Sequence, residues 1–301
     1  MSVADRIVAV VGPTASGKSS LALEMVRRIG SAEIVNADSM QLYRGMDIGT
    51  AKPSLTDRSM VPHHLFDVLD VTGTATVAEF QTLARAAIAE CHSRGVTPVL
   101  VGGSALYVRA VLDRLEFPGT DPTVREHWAA ELEQRGAAAM HAELARRDPA
   151  AAAQILPTND RRIVRALEVI ELTGQPFVAT MPPHESIYPD VLMLGIDVKR
   201  DVLDRRLAER VDQMWTDGFV DEVRRLRKIG LDDGLTANRA LGYQQILAFL
   251  RGDTTEDEAR EATVIGTRKF ARRQDRLFRK DPRIHWSLPD SKGSGSPDGS
   301  P

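Results

Sequence analysis

The sequence predicts an α/β protein, with a parallel-sheet core that is interrupted by an all-helical insertion. Short β-branched runs alternate with helical patterns up to about residue 116 and again after residue 183. Between 117 and 183 the strand signals disappear, alanine becomes frequent, and prolines separate the helical runs. We therefore assign core segments to 1–116 and 184–290 and the insertion to 117–183. The tail, 291–301, is rich in Gly, Ser, Pro and Asp, a composition typical of disorder.

Composition limits the class of protein. The chain has 301 residues, of which 43% are hydrophobic and 27% charged, enough for a full core and a smaller second domain. The single cysteine, Cys91, excludes an internal disulfide and a multi-cysteine zinc site, and it favours a reducing compartment. No apolar run approaches the length of a membrane span, and the first residues lack the pattern of a secretory signal. We expect a cytoplasmic monomer with no membrane partner.

A phosphate-binding loop follows the first predicted strand. The segment Gly12-Pro13-Thr14-Ala15-Ser16-Gly17-Lys18-Ser19 fills the pattern G-x-x-x-x-G-K-[ST] between the apolar run 7–11 and a helical pattern. Glycines let backbone N–H groups approach an anion, and the helix that follows adds the positive end of its dipole. Lys18 is expected to reach the terminal phosphate and the Ser19 hydroxyl to bind Mg²⁺. These features predict a P-loop NTPase-like core and leave open which diphosphate or triphosphate it binds.

Polar residues follow two further predicted strands. Asp38 comes directly after the β-branched run 32–37, and in an open parallel sheet functional groups collect at the carboxyl ends of strands. Asp38 is therefore a candidate base or metal ligand, with a turn or capping aspartate as the alternative. The run 97–101 ends in Gly102-Gly103-Ser104, without the metal-binding acid that usually ends this strand in P-loop hydrolases. Hydrolysis of ATP or GTP is therefore disfavoured.

Arginines are concentrated on predicted helices. In the insertion, Arg161, Arg162 and Arg165 follow a capped helix start, and surface ion pairs are the ordinary explanation for them. A long helix from about 259 to 280 places four arginines on one side, which suits the phosphates of a nucleic acid, with a solvated surface as the alternative. They are Arg268, Arg272, Arg276 and Arg279. Arg210 lies beside the apolar stripe of another helix, where it can point toward a site or snorkel at the edge of the core.

Taken together, these stretches resemble one family, the bacterial tRNA dimethylallyltransferases, also called tRNA isopentenyltransferases (IPP transferases). The resemblance runs in order from about residue 7 to 286. It is carried by 12–19, Asn36 to Pro53, Gly102 to Tyr107, Asn159 to Glu168 and Gly242-Tyr243-Gln244. One stretch differs: the family's usual Gly-Gly-Thr-Gly-Leu-Tyr is replaced by Gly102-Gly103-Ser104-Ala105-Leu106-Tyr107, so the serine keeps the hydroxyl while Ala105 is expected to stiffen the turn.

The resemblance implies transfer of the dimethylallyl group of dimethylallyl diphosphate to the exocyclic amine of the adenosine immediately 3′ of the anticodon of a tRNA. It implies that the insertion binds the anticodon stem-loop and that the target base is flipped into a channel. By position, Asp38 would be the general base. Ser104, Arg210, Lys18, the loop amides and a Mg²⁺ held by Ser19 would neutralise the departing pyrophosphate.

The positions implied to contact the tRNA fall into two groups. Asp38 and its neighbours would line the flipped base, and the other residues would contact the rest of the tRNA. The first group is Asp38, Ser39, Met40, Gln41 and Leu42, and the second is Arg161, Arg162, Ile163, Val164, Arg165, Arg272 and Arg276.

Three other functions remain open at this point. A small-molecule P-loop kinase would explain the loop and Asp38, but neither the long basic helix nor the missing strand-end acid. An isopentenyltransferase that acts on free adenine nucleotides would not need an insertion as long as 117–183. A non-catalytic RNA-binding module would use the loop only to sense a nucleotide.

Overall fold

The computed structural model describes residues 5–178 and 182–287. It contains one six-stranded sheet in which every neighbouring pair of strands is parallel. The strands are β1 (Arg6–Val11), β2 (Ala32–Asn36), β3 (His63–His64), β4 (Thr97–Gly102), β5 (Asp190–Ile196) and β6 (Ile284–Ser287). Their order across the sheet is β3-β2-β4-β1-β5-β6. This arrangement confirms the predicted α/β class. The short strands β3 and β6 were not predicted.

The helices follow the strands along the chain. In the first core segment they are α1 (Lys18–Ile29), α2 (Leu55–Met60), α3 (Val77–Ser93) and α4 (Ala105–Leu112). Then come α5 (Pro122–Arg147), α6 (Pro149–Gln154) and α7 (Asp160–Thr173). The last part of the chain contains α8 (Arg200–Thr216), α9 (Phe219–Arg227), α10 (Tyr243–Arg251) and α11 (Glu256–Phe278), with short 3-10 helices at Leu231–Asp233 and Ala237–Arg239. Among the residues described, no helix is long and apolar enough to cross a membrane.

The sheet is buried on both faces, which explains why its strands read as continuous apolar runs. Along β1, Ile7 and Ala9 belong to a core cluster that also contains side chains of α3 and α4, such as Phe80. The alternate residues Val8 and Val10 belong to a second cluster that contains side chains of α1. This alternation follows from the two-residue period of a strand.

The strand register brings the functional loops to one edge of the sheet. Val11, the last residue of β1, pairs with Gly102 at the end of β4 and with Gly195 near the end of β5. Asn36, the last residue of β2, pairs with Val101. The loops that follow β1, β2 and β4 therefore leave the sheet side by side, as parallel topology requires.

The chain divides into two compact units. One consists of the sheet with its helices, up to Arg114 and again from Ser186, and the other is Leu115–Glu185. The second unit begins and ends two residues outside the insertion assigned from sequence, and its helices α5, α6 and α7 surround their own apolar cluster. Helix α5 is kinked at Gly136, whose φ of 78° suits glycine. The tail 291–301 lies outside the described residues.

Candidate active site

The phosphate loop has the backbone geometry of a nest for an anion. Gly12 and Gly17 have φ of 145° and 98°, values that side chains rarely allow, and Ala15 lies in the left-handed region at 62°. Helix α1 begins at Lys18, and its N-cap residue, Gly17, has no side chain that could cap the helix. The N–H groups of the first turn are therefore available to a ligand. Two amides are used within the protein instead: Ser16 N–H donates to Pro13 at 3.3 Å, and Thr14 N–H donates to Gln274 Oε1 at 2.9 Å.

Two hydroxyl groups of the loop suit a bound phosphate, that of Ser16 directly and that of Ser19 through a cation bound with the phosphate. Ser16 is buried, and its Oγ has no hydrogen-bond partner within the part of the chain that the structure describes. A buried hydroxyl without a partner is costly, and an anion at the loop would satisfy it. Ser19 lies on the first turn of α1 and is exposed, so its hydroxyl is accessible to a cation bound with the phosphates.

Lys18, Asp38 and Arg210 form one electrostatic cluster. Lys18 is half-buried, and burial lowers the pKa of its ammonium from 10.5 to about 8, with the charge of Asp38 raising this pKa and that of Arg210 lowering it. Burial also lowers the pKa of Arg210, and the charge of Asp38 opposes this. A carboxylate and two cations, from the loops after β1 and β2 and from α8, therefore interact electrostatically. The sequence placed Asp38 and the phosphate loop at one edge of the sheet and left open where Arg210 points.

The direction of Asp38 is set by a turn after β2. The buried side chain of Asn36 accepts the Asp38 N–H at 2.8 Å and donates to the carbonyls of Asp38 and Leu65 at 3.0 and 2.9 Å. Asp38 Oδ1 then accepts the N–H of Met40 at 3.0 Å. Within residues 5–178 and 182–287, Oδ2 makes no hydrogen bond and is available to a substrate. Asp38 is thus both a turn aspartate and a candidate base.

The turn after β4 presents Ser104. A side chain at Gly102 would place its Cβ 2.4 Å from the Ala37 carbonyl oxygen, so this position needs glycine. Ser104 is the N-cap residue of α4, but its hydroxyl makes no capping hydrogen bond to the described chain, which leaves it available to a ligand. Ala105 is the first helical residue of α4, a position that suits alanine, so the difference from the family pattern does not disturb the turn.

The residues after Asp38 differ in their accessibility. Ser39, Met40 and Gln41 are half-buried, and Gln41 donates to the carbonyls of Thr50 and Ala51 at 3.1 and 3.3 Å. Leu42 is 3% exposed and packs in the sheet core, so the prediction that it lines the base was wrong. Tyr107 faces the same region: burial raises its pKa to about 12, with the Ser39 hydroxyl opposing the shift and the charge of Asp38 adding to it.

A buried carboxylate, for which no sequence pattern stood out, holds the segment that follows. Glu222 on α9 is 2% exposed and accepts the N–H groups of Asp47, Ile48 and Gly49 at 3.1, 2.7 and 3.3 Å. It also accepts the Tyr243 hydroxyl at 2.6 Å. A carboxylate that receives three backbone N–H groups holds their loop in one conformation, because releasing the loop would break all three charge-assisted hydrogen bonds.

Helix α11 carries the predicted stripe of arginines, but most of them have partners. Arg272 pairs with Asp204 at 2.9 Å, Arg268 donates to the Asp204 carbonyl at 3.3 Å, and Arg279 pairs with Asp197 and Asp275. Arg276 is exposed and lines a cleft of about 510 Å³ that Pro13 of the phosphate loop also lines. The cleft is bordered by Arg200, Lys269, Arg272, Arg273, Arg276 and Arg279. A basic cleft therefore adjoins the phosphate loop.

In the helical unit, only part of the predicted tRNA-binding set is presented to a ligand. Arg161 and Arg162 are exposed at the start of α7. Ile163 and Val164 are 0% and 8% exposed in the core of this unit, so the prediction that these side chains contact tRNA was wrong. Arg165 donates to Glu168 at 2.9 Å and to the carbonyls of Pro118 and Gly119, which is a structural role.

Glu33, His64 and Cys91 form a group whose ligand atoms lie within 4.8 Å of one another. The group does not suit a metal ion, because Arg94 donates to both carboxylate oxygens of Glu33 at 2.7 Å. This contact with Arg94 lowers the pKa of Glu33 to about 2. Burial, together with the charge of Glu33, raises the pKa of the Cys91 thiol to about 11, so the thiol keeps its proton at neutral pH. We interpret this group as structural.

The fold and the site together define a class of protein. They combine a parallel α/β sheet, a phosphate loop between β1 and α1, and a carboxylate on the loop after β2 that interacts electrostatically with the lysine of the phosphate loop. This is a P-loop-like protein in which a carboxylate lies near the phosphate loop, without an acid at the end of β4.

Comparison with known proteins places the chain more narrowly. The model of the IPP transferase family matches residues 41–281, and the chain belongs to this family. A tRNA dimethylallyltransferase of Thermobifida fusca is 61% identical over 93% of this chain and 89% of its own length, and one of Streptomyces coelicolor is 60% identical over 94% and 90%.

Solved structures agree with this assignment. A tRNA isopentenylpyrophosphate transferase of Bacillus halodurans is 40% identical, with a TM-score of 0.69 over 94% of this chain and 90% of its own. A eukaryotic dimethylallyltransferase acting on tRNA is 25% identical, with a TM-score of 0.80 over 94% and 74%.

Proposed function

We propose that this enzyme transfers the dimethylallyl group of dimethylallyl diphosphate to the exocyclic amine of the adenosine immediately 3′ of the anticodon of a tRNA, releasing diphosphate. The observation that carries the proposal is the proximity of Asp38 to Lys18 and Arg210 at the phosphate loop. The names of the relatives support the same reaction.

The cations act on the leaving group. As the bond between the allylic carbon and the diphosphate oxygen breaks, its electron pair stays on the diphosphate, where negative charge increases. This negative charge is stabilised by two cations, Lys18 and Arg210. Hydrogen bonds to it come from N–H groups at the start of α1 and from the hydroxyls of Ser16 and Ser104. Donors fixed in a partly dry site stabilise developing charge without reorganising, which lowers the barrier.

Asp38 acts on the nucleophile. The adenine amine forms the new carbon–nitrogen bond and must then lose a proton, which Asp38 Oδ2 accepts while Oδ1 remains bonded to Met40 N–H. Ser39, Met40 and Gln41 line the approach of the base. A base that is flipped out of its stack in the RNA exposes the amine that must react. Because the leaving group is a diphosphate, no water needs to be activated, which explains why β4 can end without an acid.

The loop fits a magnesium ion, with the Ser19 hydroxyl as its protein ligand. Mg²⁺ commonly keeps few protein ligands and takes its others from phosphates and water, so one exposed hydroxyl beside an anion nest is a sufficient protein contribution. When bound, the ion would neutralise part of the diphosphate charge.

The remaining parts of the proposal concern partners and location. Arg161 and Arg162 of the helical unit and Arg276 of α11 contact tRNA phosphates, and Arg272 joins them by exchanging its exposed pair with Asp204 for a phosphate. The enzyme works as a cytoplasmic monomer, where tRNA is available.

The test is an incubation of the protein with Mg²⁺, dimethylallyl diphosphate and unmodified tRNA, followed by mass analysis of the nucleosides. We expect prenylated adenosine in the tRNA and none on free AMP. Prenylation of AMP but not of tRNA would refute the proposal, and phosphate transfer from ATP to a small molecule would support the kinase instead.

A further inference from the structure

Gln274 joins the two loops that would bind the diphosphate. It lies on α11, is 5% exposed, and comes from a part of the chain far from both loops in sequence. Its Oε1 accepts the N–H of Thr14 in the phosphate loop at 2.9 Å. Its Nε2 donates to the carbonyl of Gly103, in the turn that presents Ser104, at 2.8 Å.

The two ends of the Gln274 amide have different tasks: one must accept a hydrogen bond and the other must donate one. An N–H must meet an acceptor and a carbonyl must meet a donor, so only a side chain with both groups can bridge Thr14 and Gly103. Glutamate could accept from Thr14 but would place an oxygen against the Gly103 carbonyl. Methionine has a similar shape and makes neither bond. Gln274 is buried, and its bond to Gly103 is buried with it, while its bond to Thr14 is partly buried, so water has little access to replace the bridge.

The bridge also sets the distance between the loops. A Cβ on Gly103 would lie 2.5 Å from Gln274 Nε2 and 3.4 Å from the Gly12 carbonyl oxygen, so the glycine allows a close approach that a larger residue would prevent. The Thr14 N–H is held by Gln274, so it is withdrawn from the nest and the loop is anchored through it. Gln274 therefore acts on ligand-binding groups without being one itself.

We propose that Gln274 is a positioning residue for diphosphate binding, which fixes the phosphate loop relative to the turn that carries Ser104. This inference rests on the proposed function, since it assumes that the two loops bind the same diphosphate. Small displacements of groups that must act together on one ligand are expensive, and a shift of about 1 Å can cost about a hundredfold in rate. Loss of the bridge should therefore weaken diphosphate binding more than it weakens the fold.

The direct test compares Gln274→Met with Thr263→Val. Thr263 lies on the same helix and is 2% exposed, and its hydroxyl donates to the Ala259 carbonyl of that helix at 2.8 Å. Its loss is therefore a matched control for a buried hydrogen bond of α11. We expect Gln274→Met to raise KM for dimethylallyl diphosphate and Kd for magnesium pyrophosphate by about tenfold, and to leave tRNA affinity within about twofold. Thr263→Val should change none of these values. Equal diphosphate affinities in the two variants, at equal urea midpoints, would overturn the inference.

Gly103→Ala tests the same contact from its other side, with Gln274 in place. Alone, it should weaken pyrophosphate binding by about tenfold, because its methyl group displaces the amide. In a Gln274→Ala background, where the space is open, the same change should cost less than about twofold, a coupling that a general loss of stability would not produce. Independent effects would overturn the inference while prenylation by the wild-type protein still supported the proposed function. A wild-type protein that binds no pyrophosphate would refute both.

Discussion

The strongest quantitative prediction concerns the pH dependence of diphosphate binding through Lys18. Burial lowers the pKa of this ammonium to about 8 in the free protein, so the group loses its charge as pH rises through that value. A bound polyanion favours the ammonium and raises its pKa, so above pH 8 binding must take up a proton. The affinity therefore falls as pH rises from 7 to 9, with most of the change above pH 8.

The size of the effect follows from the pKa. At pH 9 about a tenth of the free protein carries a charged Lys18. If the diphosphate binds only this form, Kd increases about tenfold between pH 7 and pH 9, or about 1.4 kcal/mol. The ligand does not contribute to this change, because the last ionisation of a phosphate monoester has a pKa of about 6.

The assay is calorimetric titration of dimethylallyl diphosphate in the presence of Mg²⁺, at intervals from pH 7 to pH 9. The matched control is Lys18→Arg, because a guanidinium stays charged throughout this range and should give a flat profile at whatever affinity it retains. Arg210 is present in both proteins, so any contribution from it would show in the control. A flat wild-type profile, or the same bend in Lys18→Arg, would refute the reasoning.

Three further predictions concern other groups. Asp38→Ala should reduce turnover by at least about a hundredfold, with tRNA affinity retained. Asp38→Asn can still accept the Met40 N–H and should be equally slow. A wild-type rate for either variant in single-turnover assays would exclude Asp38 as the base. Replacing Arg272 and Arg276 by alanine should weaken tRNA binding and reduce the slope of log affinity against log salt by between about 0.7 and 2 units. Arg276 should contribute more, because Arg272 must first leave Asp204. An unchanged slope in filter binding would show that neither arginine contacts the tRNA. Glu222→Gln should lower the free energy of unfolding, measured in urea, by about 2–4 kcal/mol. The control is Asp221→Asn, which removes the exposed pair with Arg224 and should cost less than about 1 kcal/mol. Equal losses in the two variants would show that Glu222 does not hold its loop.

Much of the site could be predicted from sequence because its signals are local. The phosphate loop is a continuous pattern, and the rule that parallel strands end at one edge was enough to place Asp38 near Lys18. The helical pattern left open whether Arg210 points toward the site or snorkels at the edge of the core. The resemblance to the family made it a candidate.

Other features depend on contacts between distant parts of the chain, which no local pattern encodes. Glu222 looks like any acid of an amphipathic helix until the fold places three backbone N–H groups against it. Gln274 lies among arginines, and its two partners belong to separate loops. Ile163 and Val164 were included with their arginine neighbours, although helical geometry directs adjacent residues to different faces. Strand β6 has four residues, too few for a periodic signal.

The central claim is that diphosphate leaves as adenosine in tRNA is prenylated at the Lys18–Asp38–Arg210 cluster. The most direct measurement is rapid-quench analysis of one turnover, which follows pyrophosphate release and prenylated adenosine together in the wild-type protein and in Asp38→Asn. We predict that the two products form at the same rate and in equal amounts in the wild type, that neither forms without tRNA, and that Asp38→Asn slows both. Pyrophosphate release without prenylated tRNA, or full product formation by Asp38→Asn, would contradict this claim.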